Sequence, residues 1–170
     1  MGNDKIKIIL ADKDESCRII VKNEIKNSSN LTLVAESDNC IDLINLLEFH
    51  ECNIIIFCSK LSGTGCFEMI RKFNKRNSEI KVISLYSIVS DKEVMNQAIA
   101  GVKGHVSKNI ELEELEYAAK QVYKGIPYCS DSLLIEFNDD FIGYLFSLLY
   151  NLSNKESLIL QLFAQGYSYD

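Results

Sequence analysis

Short apolar runs and amphipathic stretches alternate along this chain, and the alternation predicts its elements. KIKIIL (residues 5–10) is a brief, nearly continuous apolar run of the kind a strand shows when both its faces are buried. Residues 16–26 follow with Cys17, Ile20, Val21, Glu24 and Ile25 at helical spacing. LTLVAE (31–36) predicts a second strand and residues 41–49 a second helix. NIIIFC (53–58) is the most apolar run and is expected at the centre of the sheet. Phe67, Met69, Ile70 and Phe73 mark a third helix, and KVISLY (81–86) a fourth strand. Val94, Ala98 and Ile99 mark a fourth helix, ended by Gly101 as a C-terminal cap. VKGHVS (102–107) is the fifth strand. Leu112, Leu115, Ala118, Ala119, Val122 and Tyr123 form a fifth helix, stopped by Gly125.

Five strands alternating with five helices imply a parallel sheet covered on both faces. With right-handed crossovers this is an α/β, open doubly wound fold, whose sites lie at the carboxyl ends of the strands. The positions of interest are therefore 11–14, 57–59, 86–87 and 107–109. Gly125-Ile126-Pro127 then opens a connector with the sole proline. Asn138 or Asp139 caps a helix through Tyr150, whose stripe of Phe141, Ile142, Leu145, Leu148 and Leu149 is widened by Tyr144 and Phe146. So wide an apolar face is expected to be a docking or dimer surface. Ser153 and Glu156 form a capping box for a last helix, stopped by Gly166.

Composition narrows the function classes. Hydrophobic residues make up 47% and charged residues 25%, as in globular domains. No apolar run approaches the ~20 residues of a membrane span, and the N-terminus lacks a signal-peptide pattern, so a cytosolic protein without a membrane partner is expected. A net charge of −6 argues against electrostatic nucleic-acid binding by the chain as it stands. The six cysteines form no C-x-x-C pair and share no ligand spacing with the two histidines. Neither a metal nor another cofactor is expected, and the thiols are expected to be reduced and mostly buried.

LADKDE after the first strand, NIIIFCSKLSGTGCFE around the third, ISLYS at the fourth and AGVKGHVSKN at the fifth resemble a response-regulator receiver domain. KGIPYCS and LSNKESLILQLFAQGYS resemble the NarL/LuxR-type subfamily of two-component regulators, in which a linker joins the receiver to a helix-turn-helix DNA-binding domain. The resemblance implies a receiver over residues 1–124, a linker with an amphipathic helix over 125–151, and an incomplete helix-turn-helix domain over 152–170. In the family, two acids after strand one and an aspartate ending strand three hold Mg²⁺, and that last aspartate accepts a phosphoryl group. Here the first acid is Asp12, but the next position is Lys13, and Asp14 is a further carboxylate nearby. The phosphoacceptor position holds Cys58 and the strand-four hydroxyl position Tyr86, with Ser87 beside it. The strand-five aromatic position holds His105, while Lys108 matches the family lysine.

A complete pocket with three carboxylates and one lysine carries net charge of about −2 and calls for a divalent cation. Asp12, Lys13, Lys108 and a neutral Cys58 sum to about +1, and a thiol is a poor ligand for a hard cation. Lys13 is expected to pair with Asp12 where the metal would sit. The resemblance thus implies a phosphorylation-independent signalling domain of a transcriptional regulator, without enzymatic activity, that works by dimerisation or protein contact. Expected partners are a second copy, a regulatory protein, and promoter DNA only where the C-terminal domain is complete. The alternative is a stand-alone interaction module or a thiol-based redox sensor at Cys58.

Overall fold

The apolar run expected at the centre is at the centre: β3 (Ile54–Cys58) has every residue buried and lies between β1 (Ile6–Ala11) and β4 (Lys81–Tyr86). The computed structural model describes residues 5–58, 61, 68, 71–72, 75, 79–87, 90–109, 111–153, 155–157 and 159. Phe67, Met69, Ile70 and Phe73, expected in a helix after β3, and residues 160–170 lie outside them. The remaining strands are β2 (Leu31–Ser37), β5 (Gly104–Ser107) and β6 (Tyr128–Cys129), and the sheet order is β2-β1-β3-β4-β5-β6 with every pairing parallel.

The period of two along each strand sorts the core onto two faces. Ile8, Leu10, Ile56 and Leu85 pack with α1 (Glu15–Asn27) and α4 (Leu112–Tyr123). Ile9, Ile55, Phe57 and Val82 pack with Leu43 of α2 (Cys40–Phe49). Helix α3 (Asp91–Ala100) ends as its sequence predicts, with Gly101 in the left-handed region at φ 99° closing the backbone onto Ala98 and Gln97. Gly125, at φ 83°, likewise ends α4.

Three sequence-based expectations need correction. Among the described residues the sheet has six strands and not five: after Pro127, Tyr128 and Ser130 donate backbone hydrogen bonds to Lys103 and His105, adding β6 beside β5. Two residues carry no readable period, so this strand had no signal, and the sheet runs past residue 124. Cys40 is disulfide-bonded, against the expectation of reduced thiols, whereas Cys17, Cys52, Cys58 and Cys129 stand outside any disulfide. Spacing alone does not reveal a pairing between distant cysteines.

The third correction concerns the apolar stripe. Following a short helix α5 (Asp131–Leu134), α6 (Asp139–Leu149) is capped by the Asn138 side chain, which accepts from the Phe141 N–H at 2.9 Å. This helix folds back onto its own chain. Leu145 and Leu149 are fully buried beside Tyr86, Val94 and Cys129, with Phe141 and Ile142 packed at the margin and Leu148 half-buried. The stripe expected to seek a second copy is thus covered within one chain. Beyond it, Ser153 and Glu156 form the capping box: the Ser153 N–H and hydroxyl donate to the Glu156 carboxylate at 2.9 and 2.6 Å. Among the described residues no helix is long and apolar enough to cross a membrane.

Candidate functional site

The carboxyl ends of β1 and β3 and the start of the loop after β5 converge on Asp12. Its carboxylate is held by a local turn, Oδ1 accepting from the Asp14 N–H at 2.9 Å, and its carbonyl accepts from Arg18 Nη1 at 2.6 Å. Lys108 reaches Oδ2 at 2.7 Å, with only 9% of the lysine side chain and 2% of the aspartate's exposed. The Lys108 backbone is fixed in turn by its N–H, which donates to the Tyr86 carbonyl at 2.8 Å. The sulfurs of Cys58 and Cys17 also lie close enough to its ammonium to stabilise the charge. Burial works against the charge on Lys108, yet the ion pair with Asp12 and the sulfurs of Cys58 and Cys17 outweigh it and raise its pKa well above the ordinary value. Cys58, ending β3, is fully buried.

Lys13 and Asp14 do not join this cluster as expected. Lys13 is exposed, and the ammonium on Asp12 is that of Lys108. Asp14 is spent as the N-cap of α1, its Oδ1 accepting from the Cys17 N–H at 3.3 Å. The missed member is Cys17, in the first turn of α1 and half-buried; burial pushes its thiol up and Lys108 only partly offsets this.

The Mg²⁺ that the family resemblance implies does not fit these donors. Both Asp12 oxygens are engaged, one by a cation, and the neighbouring side chains are thiols, which are soft ligands ill-suited to a hard cation.

A second constellation lies on the opposite side of β4. Ser84 and Tyr86 point to one face, and His105 is the register partner of Ser84. Tyr86 Oη donates to Gln97 Oε1 at 2.6 Å and lies 2.8 Å from His105 Nδ1. One hydroxyl proton serves only one acceptor, so with Gln97 accepting it, His105 Nδ1 carries its own hydrogen. The two rings stack at 5.8 Å, and all four side chains are buried. Burial pushes the His105 pKa down to about 4, partly offset by the Val102 backbone, and pushes the Tyr86 phenol well up. Ser87, next to Tyr86, is exposed. Gln97 had one sequence signal: a polar residue three positions after Val94, on the buried stripe of α3.

A sequence profile described as the response regulator receiver domain matches residues 8–120. The response regulator protein VraR of Staphylococcus epidermidis is 24% identical over 163 residues, covering 96% of this chain and 78% of its own. VraR of Staphylococcus aureus matches to the same extent. A LuxR-family two-component response regulator from an Aurantimonas species superposes with a TM-score of 0.72 at 19% identity, over 82% of this chain and 99% of that one. Salmonella typhimurium RcsB does so with a TM-score of 0.69 at 16% identity, over 99% and 95%. The structural matches speak for the fold, and the profile covers most of the chain: the chain belongs to the response regulator receiver domain family.

Proposed function

We propose that this chain is a signalling domain of a transcriptional regulator that works without phosphorylation, through contacts with other proteins and without catalysis. The observation that carries this reading is Cys58, fully buried at the end of β3 where the family has its phosphoacceptor aspartate, beside a cation site taken by Lys108. A metal or phosphoryl cage has no support there, since among the described residues the carboxylate on the ammonium is that of Asp12, already paired, and the side chain at the end of β3 is a thiol. Contact with promoter DNA belongs to a complete C-terminal domain, of which residues 152–170 resemble the start. Contact with a second copy or a regulatory protein uses surfaces other than the α6 stripe, whose central leucines are buried. A thiol sensor at Cys58 has less support, because that residue is fully buried and the Cys17 thiol, the other one near Lys108, is pushed up by burial.

The test is incubation with acetyl phosphate and Mg²⁺, followed by intact mass, and a thermal melt with beryllofluoride and Mg²⁺. No change is expected in either. A magnesium-dependent mass gain of one phosphoryl group, or a magnesium-dependent rise in Tm with beryllofluoride, overturns the reading.

A further inference from the structure

We propose that α6 is a latch closed over Tyr86, and that the docking or release of this helix is the conformational change the domain controls. The seat is apolar and well filled: the Tyr86 ring, Val94 and Cys129 enclose Leu145 and Leu149, each no more than 8% exposed. The helix is also fastened at its end. Lys103 Nζ donates to the Leu149 carbonyl, so a cation sits on the negative pole of α6 and satisfies one of its open carbonyls.

Tyr86 connects this seat to the strand ends. Its backbone carbonyl holds Lys108, the cation of the Asp12 cluster; its hydroxyl holds Gln97 of α3; and its ring is the floor under α6. A shift at the strand ends that moves Tyr86 therefore disturbs the surface on which α6 rests. The far end of the latch is equally well coupled. Leu152 N–H donates to the Ser147 carbonyl at 2.9 Å across Asn151, which is left-handed at φ 53°, and the capping box of the next helix begins at Ser153. Release of α6 thus carries the start of that helix with it.

Two free cysteines report the state of the latch. Cys129 lies in the seat and Cys52 in the core beside α2, and both are 8% exposed. The full chain is labelled with N-ethylmaleimide and the rate at each thiol is followed by peptide mass spectrometry. Leu145→Asp is expected to speed labelling of Cys129 by at least ~tenfold, and Lys103→Met by several-fold, with Cys52 unchanged. Tyr86→Phe, which keeps the ring and loses the hydroxyl, is expected to speed Cys129 as well. Cys129 rates unchanged in Leu145→Asp and Lys103→Met, or Cys52 rising in step with Cys129 in both, would overturn the latch. An unchanged Cys129 rate in Tyr86→Phe would overturn its coupling to β4.

Discussion

Tyr86 Oη and His105 Nδ1 lie 2.8 Å apart on neighbouring strands, with neither side chain more than 1% exposed. As the sequence already indicated, Tyr86 occupies the β4 hydroxyl position and His105 the β5 aromatic position of the receiver pattern, so the phenol is on β4 and the β5 ring is a histidine that titrates. In the folded chain burial holds His105 neutral, its pKa lowered from 6.5 to about 4. The unfolded chain therefore binds more protons between those values, and stability falls as pH drops from 6.5 towards about 4, by ~3 kcal/mol in all. Above 6.5 this contribution is fully present. His105→Phe keeps a ring and leaves the Tyr86 hydroxyl bonded to Gln97. Urea denaturation across this range should show a shallower pH dependence for the variant, by about one proton's worth of slope. Equal slopes would mean that His105 is charged inside the fold.

The Asp12–Lys108 pair makes a second expectation. With both side chains buried, Lys108→Met leaves a carboxylate without its cation, a loss of roughly 3–5 kcal/mol. Asp12→Asn combined with Lys108→Met removes both charges and should recover much of that loss. Denaturation midpoints of the two variants decide it, and a double variant no more stable than Lys108→Met would show that the pair is not what the lysine stabilises.

Much of the fold was legible because local signals agreed with one another: the run at 53–58 marked the central strand, Gly101 and Gly125 the helix ends, and Ser153 with Glu156 a cap. The candidate site was legible in its positions and less so in its contacts. Two lysines were expected at Asp12, Lys13 as its chain neighbour and Lys108 through the family resemblance, but only Lys108 has a backbone anchored by Tyr86 so that its side chain reaches inward. Lys13 sits in the turn that the Asp12 carboxylate itself organises, and is exposed. Cys17 and Gln97 looked like ordinary helix residues until the tertiary fold brought them to Lys108 and Tyr86. An apolar stripe says that a face must be covered, and an intramolecular cover leaves the same pattern as a dimer.

Restoring acids should restore metal affinity if the backbone around Asp12 is otherwise competent. Lys13 is exposed, so Lys13→Asp adds a carboxylate to the turn after β1 without disturbing the core. Cys58→Asp adds the third, beside Lys108. The double variant should gain a Mg²⁺-dependent rise in Tm that the parent lacks, since a hard cation now meets oxygen ligands. Cys58→Asp alone should gain less, with two carboxylates sharing one lysine. Regained binding need not restore switching, because Tyr86 still fills the β4 position. No Mg²⁺ response in the double variant would place the defect in the backbone and not in the side chains.

The fold of α6 reverses what the sequence implied about association. From the stripe alone, deleting residues 138–170 should yield a more monomeric receiver. In the structure the same deletion strips Leu145 and Leu149 from a seat that includes Tyr86, Val94, Cys129 and Phe137. Each of the two leucines contributes roughly 1.5–3 kcal/mol through burial, so the shortened chain should be less stable than the full one by a few kcal/mol. It should also present a new apolar patch and associate more. Light scattering at micromolar concentration and urea midpoints for the two lengths test both effects. A shortened chain that is as stable as the full one and associates less would mean that α6 serves a second copy and not its own receiver.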